Sequence, residues 1–225
     1  MEWGLLIIRL RIRPTPLHSS RKNLFVTVFF GIGWVIAVAF GLRVLLNYES
    51  TSGRVGAVSQ RWQSASAIQR ANDRPTLVMF AHPHCPCTRA SVGELAEIMA
   101  HVQGRVSARV LFVRPKGAAD GWDETDLRRS AAAIPGVEVS TDADGLEARR
   151  FGAETSGHTL LFDRDGHLVF SGGITQSRGH AGGNVGESAI VSLVNNQRPD
   201  HSQTLVFGCS LAKHTEQKDN SICLK

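Results

Sequence analysis

The segment "PTLVMFAHPHCPCTRASVGELAEIMAHV", from Pro75 to Val102, changes its periodicity partway along. Its first seven residues are a mostly apolar run, which is typical of a buried β-strand. From Thr88 onward the apolar residues recur at helical spacing, and either Thr88 or Ser91 is suited to cap the helix. The segment therefore predicts a strand that leads into a helix, with Cys85 and Cys87 at the junction.

Strand and helix patterns keep alternating after this segment. They predict, in order, a strand at Val106–Val113, a helix at Asp123–Ile134, a short strand from Val137, a helix ending near Gly152, a hairpin within His158–Ile174 and a helix at Glu187–Asn196. An Asp-Arg-Asp-Gly turn joins the two strands of the hairpin. This order predicts an α/β fold with a mixed sheet, mostly parallel with one antiparallel edge.

A long uncharged segment, "LFVTVFFGIGWVIAVAFGL", runs from Leu24 to Leu42. As a helix it reaches about 28 Å, close to the thickness of the hydrocarbon core of a bilayer. Glu2 is the single acid before it, against five basic residues: Arg9, Arg11, Arg13, Arg21 and Lys22. By the positive-inside rule this pattern predicts a single-pass anchor in a bacterial inner membrane, with the C-terminal domain in the periplasm. A cleaved signal peptide and a buried core helix are the alternatives.

The 225 residues suit one domain of ordinary size with extensions. The predicted divisions are a cytoplasmic segment 1–22, an anchor 23–46, a linker 47–73, a folded domain 74–198 and a C-terminal extension 199–225. The formal net charge is +5, but basic and acidic residues are interleaved, so nucleic acid is not a predicted partner. The Gly-rich stretch from Ser171 to Glu187 lacks the residue order of a phosphate-binding loop, so a nucleotide is not a predicted partner either. It is predicted to form either a flexible wall near the active site, with Arg178 and His180 facing a substrate or a partner, or a plain surface loop.

Four cysteines, Cys85, Cys87, Cys209 and Cys223, follow the predicted anchor, on the side of the membrane where thiols are oxidised. Four cysteines allow three pairings, and their spacing does not choose among them. A bridge between Cys85 and Cys87 would close a strained ring, and strained disulfides are the labile, oxidising ones. Cys209 is a candidate resolving or clamping thiol, or the partner of Cys223.

The order of these elements resembles the thioredoxin-like superfamily, in particular a membrane-tethered bacterial branch with an extra strand and helix in mid-domain. In "TLVMFAHPHC" Cys85 stands five positions after Phe80, where the superfamily places its nucleophilic cysteine after a strand aromatic. "VEVSTDADGLEARRFGAETSGHTLLFDRDGHLVFSGG" is similar to the second half of that fold. The motifs "HPHCPCTRAS", "SGGIT" and a late "FGC" resemble those of bacterial RedB proteins. The resemblance covers Pro75 to Asn196 and implies a three-layer thioredoxin-like sandwich.

Two positions depart from the superfamily's pattern. Its active site is Cys-x-x-Cys, whereas here Thr88 holds the place of the second cysteine and Cys87 comes one residue early. Where the superfamily has a cis-proline before the hairpin strand, this sequence has His158. The resemblance therefore predicts an imidazole beside the thiols.

The resemblance implies thiol–disulfide exchange with protein thiols or disulfides in the periplasm, without a cofactor. Cys85 is the predicted nucleophile because unpaired N–H groups at a helix N-terminus favour a thiolate. Cys87 is its expected redox partner. Side chains that could add charge or carry protons are His82, His84, His158 and Arg89. The predicted catalytic site is Cys85, Cys87, Thr88, Arg89 and His158.

Three alternatives remain open at the level of sequence. A copper-binding metallochaperone would use soft sulfur and nitrogen ligands from Cys85, Cys87 and His158, with His84 as a further ligand. A peroxiredoxin-like peroxidase would place Thr88 and Arg89 beside the Cys85 thiolate. A purely structural site would bury or permanently bridge the two cysteines.

Overall fold

The computed structural model describes residues 20–211, with side chains from residue 21 onward. Most of the predicted cytoplasmic segment 1–22 lies outside these described residues, and so does Cys223 with its predicted pairing to Cys209. The chain divides into two compact units, one that ends at Leu46 and one that begins at Asn47. Each unit has its own organisation.

The first helix, α1, spans Ser20–Ser50 and so extends past both ends of the predicted anchor, 23–46. Its large apolar side chains are exposed all round the helix. A helix that is apolar on every side is suited to lipid, and from Arg21 to Ser50 it is long and apolar enough to cross a membrane. It ends where the hydroxyls of Ser50 and Thr51 hydrogen-bond to the Asn47 carbonyl, an alternative to a further helical turn.

A five-stranded mixed sheet forms the centre of the second unit. Its strands are β1 (Thr76–Ala81), β2 (Ser107–Arg114), β3 (Val137–Ala143), β4 (His158–Phe162) and β5 (Leu168–Gly172). Their order across the sheet is β3-β2-β1-β4-β5. The first three strands are parallel to one another, whereas β4 is antiparallel to β1 and β5 to β4. The central strand β1 therefore ends directly before the loop that carries Cys85.

Four further helices complete the unit: α2 (Thr88–Val102), α3 (Asp126–Ala132), α4 (Leu146–Phe151) and α5 (Val185–Val194). The predicted α3 began at Asp123, but the Thr125 side chain accepts a hydrogen bond from the Arg128 N–H and caps the helix there. Strand β3 and helix α4 form the predicted mid-domain insertion and widen the sheet beside β2. The predicted α/β architecture, a thioredoxin-like sandwich, is confirmed.

Both faces of the sheet are covered, because side chains of β1 alternate between two hydrophobic clusters. Leu77 and Met79 join the cluster beneath α2, α3 and α5. Val78 and Phe80 join the cluster beneath α4. All four side chains are fully buried, so β1 has no polar face. The result is three layers with the sheet in the middle.

Residues 47–73, predicted as a linker, belong to the compact unit that begins at Asn47. The Trp62 ring lies edge-on to Phe151 and Phe162, with ring centroids 5.2 Å apart in each case. The Trp62 N–H also donates to the Gly166 carbonyl at 2.8 Å. This segment therefore covers the α4 side of the sheet.

Residues 202–211, which we call the C-terminal segment, return to the sheet beside β5. The Thr204 N–H donates to the Ser171 carbonyl at 3.3 Å. The two backbones come so close that a Cβ atom on Gly173 would overlap the Leu205 carbonyl oxygen. The packed part of the chain thus continues beyond the predicted domain end at residue 198.

Candidate active site

The loop between β1 and α2 carries Cys85 and Cys87. It is already wound as a helical turn: the Cys85 N–H donates to the His82 carbonyl at 3.1 Å, and the Thr88 N–H donates to the Cys85 carbonyl at 3.2 Å. Cys87 is the N-cap residue of α2, with helical backbone angles and no capping hydrogen bond from its side chain. Cys85 therefore lies just before the helix, where the N–H groups of a first turn lack partners within the helix.

The C-terminal segment brings a third cysteine to this loop. The Sγ atom of Cys209 lies 2.7 Å from the Sγ atom of Cys85. The backbone N–H of Cys209 also donates to the Cys85 sulfur, at 3.4 Å. Cys85 and Cys87 are buried, and Cys209 is half-buried. Two thiols that are 124 positions apart in the chain thus touch at the start of α2.

Hydrogen bonds hold the pKa of Cys85 well below the usual range of a thiol. The largest effect comes from Cys209, and the next from Cys87. Burial opposes them, while Thr88 and the Cys209 backbone add further hydrogen bonds. Donors that point at a sulfur stabilise its charged form. These hydrogen bonds therefore favour the thiolate form of Cys85.

The same contacts move Cys87 in the other direction. The hydrogen bond with Cys209 lowers the pKa of Cys87, as does the charge of Arg178, but the contact with Cys85 and burial raise it more, so that this pKa is raised overall. The negative charge on Cys85 adds to the effect, because two adjacent thiols resist ionising together. Of the two thiols, Cys85 is therefore the one that is favoured to ionise.

Thr88, a predicted site residue, is fully buried and joins two parts of the site. Its Oγ1 lies 2.6 Å from the Oγ atom of Ser156, which also accepts a hydrogen bond from the His82 N–H at 2.7 Å. The Ser156 N–H donates to the Cys209 carbonyl at 2.8 Å. Ser156 thus connects the loop to the C-terminal segment. No motif in the sequence points to Ser156, and its one signal is its position just before the hairpin strand.

His158 is fully buried on β4, opposite Phe80 in the register. Its Nε2 lies 3.0 Å from the Oγ atom of Ser171 on β5. Its Nδ1 has no hydrogen-bond partner among the described residues. Burial lowers the pKa of His158 to about 4, so the ring is neutral at neutral pH. The imidazole therefore hydrogen-bonds to the neighbouring strand β5. The nearby residue that hydrogen-bonds to the loop between β1 and α2 is Ser156.

Two further histidines of the loop pack against Trp122. The rings of His84 and His82 have their centroids 4.6 Å and 5.5 Å from the Trp122 ring. The Nε2 of His84 lies 2.9 Å from the Trp122 carbonyl oxygen. Burial lowers the pKa of His82, and the negative charge of Cys85 partly opposes this. The charge on Cys85 therefore affects the pKa of His82.

The two arginines predicted near the site have different partners. Arg89 pairs with Asp126 at 2.5 Å, and both side chains are mostly exposed. Arg178, in the Gly-rich stretch, donates from Nη1 to the Gly208 carbonyl at 2.7 Å, next to Cys209 in the chain. The Gly-rich stretch thus lies against the C-terminal segment through Arg178.

The copper alternative needs ligand atoms that converge on one point, from Cys85, Cys87, His158 and His84. Among residues 20–211, at least three possible ligand atoms lie within 4.8 Å of one another at a different place. They belong to Asp163, Asp165 and His167. These residues form the turn between β4 and β5, where Asp163 Oδ1 accepts hydrogen bonds from the N–H groups of the other two. The Asp163 carboxylate therefore stabilises the turn.

Comparisons with known proteins support the fold. No protein-family model and no curated protein matches this chain. A solved hypothetical protein from Sinorhizobium meliloti 1021 is 18% identical with a TM-score of 0.51, over 72% of this chain and 96% of that one. An uncharacterized conserved protein from Geobacillus kaustophilus is 20% identical with a TM-score of 0.52, over 75% and 95% of the two chains.

A third solved structure aligns over a smaller part of the chain. It is a secreted Mycobacterium tuberculosis disulfide oxidoreductase homologous to E. coli DsbE, 16% identical with a TM-score of 0.40, over 56% of this chain and 83% of that one. The Sinorhizobium and Geobacillus proteins share the fold of this chain. That fold, with its sheet order and its cysteine-bearing turn after the central strand, is thioredoxin-like.

Proposed function

We propose that this protein is a membrane-anchored thiol–disulfide oxidoreductase with a Cys-Pro-Cys active site, in which Cys85 is the nucleophile. The observation that carries the proposal is the contact of the buried Cys85 sulfur with Cys209 at 2.7 Å, in a setting that stabilises the thiolate. The thiolate is the form of cysteine that attacks a disulfide. A second thiol within reach is the other requirement of exchange, and both Cys87 and Cys209 meet it.

The exchange moves two electrons and needs no cofactor. The Cys85 thiolate attacks one sulfur of a partner's disulfide, forms a mixed disulfide and expels the partner's other sulfur as a thiolate, which takes a proton. A second cysteine of this chain then loses its proton, attacks the Cys85 sulfur and expels the remaining partner thiolate. The partner ends with two thiols and this chain with one disulfide. The same steps in reverse oxidise a partner dithiol.

The proposed setting is the periplasmic face of a bacterial inner membrane. Helix α1 is the anchor, and the basic residues that precede it keep the N-terminus in the cytoplasm by the positive-inside rule. An oxidising compartment supplies protein thiols and disulfides as partners. The motif "HPHCPCTRAS" supports membership of the RedB group. Neither a nucleotide nor a nucleic acid takes part in this chemistry.

The test uses the full chain in detergent micelles, with a fluorescent disulfide-linked peptide as substrate and dithiothreitol as reductant. We expect Cys85→Ser to abolish turnover. Cys223→Ser, a cysteine variant outside the described residues, is the matched control and should turn over as the wild type does. We also expect the rate of alkylation of Cys85 by iodoacetamide to stay high well below the usual pKa of a thiol. Full turnover by Cys85→Ser would refute the proposal.

The same preparation separates the competing functions. Stoichiometric Cu(I) binding that disappears in His158→Ala, together with no peptide turnover, would establish the metallochaperone. Peroxide reduction that needs Cys85 but neither of the other two thiols would establish the peroxidase. Peptide turnover without either result leaves thiol–disulfide exchange as the activity.

A further inference from the structure

We propose that Cys209, and not Cys87, is the resolving thiol, so that the redox-active disulfide joins Cys85 to Cys209. This inference rests on the proposed function and names the second cysteine of that site. The Cys209 sulfur is in direct contact with the Cys85 sulfur, at 2.7 Å, and the Cys209 N–H points at the same sulfur. An attacking thiol must stand next to the sulfur that it attacks, and Cys209 already does.

The local backbone disfavours a bridge between Cys85 and Cys87. The two residues belong to one helical turn, held by hydrogen bonds from the Thr88 N–H to the Cys85 carbonyl and from the Ala90 N–H to the Cys87 carbonyl, both at 3.2 Å. The Cys87 side chain hydrogen-bonds to Cys85, but residues two apart on a helical turn point in different directions, and a covalent S–S bond is much shorter than such a contact. Pro86 between them fixes its own backbone angle. Because a disulfide tolerates a narrow range of geometry, closing this bridge would strain the turn at the start of α2.

The C-terminal segment places Cys209 through its backbone. The Ser156 N–H donates to the Cys209 carbonyl at 2.8 Å, and the Leu211 N–H donates to the Glu154 carbonyl at 2.9 Å. Gly208 passes so close to the Ser156 carbonyl oxygen that a Cβ atom there would overlap it. Three apolar side chains anchor the segment in the core: Val206, Phe207 and Leu211. The position of Cys209 is therefore set by packing on both sides of it.

Two other parts of the chain hold the same segment. The Gly53 N–H donates to the Val206 carbonyl at 2.7 Å. Arg178 donates from Nη1 to the Gly208 carbonyl at 2.7 Å and from Nε to the Thr51 carbonyl at 3.1 Å. Arg178 is therefore a positioning residue: it ties the segment that carries Cys209 to the residues that follow α1.

At the resolving step Cys85 holds the partner in a mixed disulfide, and the thiolate already expelled from the partner takes the proton of Cys209. The Cys209 sulfur then attacks the Cys85 sulfur, the bond from Cys85 to the partner breaks, and the partner's second sulfur leaves as a thiolate. Cys85 is 2% exposed and Cys209 is half-buried, so Cys209 covers the nucleophile. When Cys209 moves aside, the partner's disulfide can reach Cys85. When Cys209 returns, it attacks Cys85 and completes the exchange.

The first test maps the disulfide in the wild-type full chain. The protein in detergent is oxidised with diamide, its remaining thiols are blocked with N-ethylmaleimide, and it is digested with trypsin for mass spectrometry without reduction. Cys85 and Cys87 lie on one tryptic peptide, because the chain between them contains no Lys or Arg. We expect this peptide to be linked to the peptide that carries Cys209, also in Cys87→Ser and Cys223→Ser. An internal disulfide within the first peptide would overturn the inference.

The second test traps the intermediate. We expect Cys209→Ser to accumulate the mixed disulfide between Cys85 and the fluorescent peptide and to slow turnover by an order of magnitude or more, whereas Cys87→Ser does not accumulate that mixed disulfide. Trapping by Cys87→Ser with normal turnover by Cys209→Ser would overturn the inference while leaving the proposed function intact, and so would turnover that both variants retain. Activity that survives in Cys85→Ser would instead refute the proposed function. Thermal unfolding of Cys209→Ser checks that it folds, and the wild-type map does not depend on it.

Discussion

Replacement of His158 by glutamine tests whether a buried imidazole makes this protein sensitive to acid. The side chain is fully buried, and the glutamine amide can keep a hydrogen bond to Ser171. Burial lowers the pKa of His158 from 6.5 to about 4. Between pH 6.5 and pH 4, His158 therefore binds a proton in the unfolded chain but not in the folded chain. The free energy of unfolding falls with pH in this range, because protons favour the state that binds more of them.

The size of the effect follows from the two pKa values. Each pH unit between them corresponds to about 1.4 kcal/mol. The loss reaches about 3 kcal/mol at pH 4 and levels off near 3.4 kcal/mol at lower pH, where both states are protonated. Above pH 7 the ring is neutral in both states and nothing is lost. Since a domain has only about 5–15 kcal/mol of stability, this is a large share of it.

The assay is urea unfolding of the full chain in a nonionic detergent, followed by tryptophan fluorescence between pH 7 and pH 4. We expect the wild type to lose about 3 kcal/mol more than His158→Gln over this range. Other titrating groups are the same in both proteins and cancel in the difference. The exposed His180 provides the matched control, and His180→Gln should follow the wild type. Parallel curves for the wild type and His158→Gln would refute the argument that burial keeps this ring neutral.

Three further substitutions probe the thiol cluster and the core beside it. Thr88→Val removes a hydroxyl that hydrogen-bonds to the Cys85 sulfur and to Ser156. We therefore expect the pKa of Cys85 to rise, so that iodoacetamide alkylation shifts to higher pH, and the free energy of unfolding in urea to fall by about 1 kcal/mol. An alkylation profile that does not shift would contradict this. Gly208→Ala places a Cβ atom against the Ser156 carbonyl oxygen and should move the C-terminal segment. We expect this movement to expose Cys85 and raise its alkylation rate. An unchanged rate would show that the segment tolerates a side chain at position 208. Phe151→Ala empties a fully buried site and should cost about 3–5 kcal/mol in urea unfolding without shifting the alkylation profile, so a shifted profile would mean that this core cluster also controls the thiolate.

Much of the fold was predictable because its signals are local. The strand before Cys85 and the helix after it follow from a change in periodicity between neighbouring residues. The hairpin follows from two apolar runs around one turn, and α1 follows from a long uncharged segment. The start of α3 was placed too early because acidic residues suit both a first helical turn and the loop before it, and the cap at Thr125 decides between them.

The site was predictable only in part. Cys85 is identifiable from its place after a buried strand. Ser156 carries no motif, and it becomes important because Thr88 and His82 both hydrogen-bond to it. His158 is conspicuous in the sequence, yet its hydrogen bond goes to Ser171 on the neighbouring strand, because a side chain's direction depends on the pairing of strands far apart in the chain.

The sequence by itself determined an α/β domain with a cysteine at the start of the helix that follows its first strand, and a long apolar helix before that domain, since periodicity and spacing act over a few residues. Only the tertiary structure decided which sulfur stands beside Cys85. That contact depends on a C-terminal segment held by Ser156, Arg178 and its own buried side chains, 124 positions from the loop. Contacts of this range arise from packing across the whole domain, and no local pattern in the chain records them.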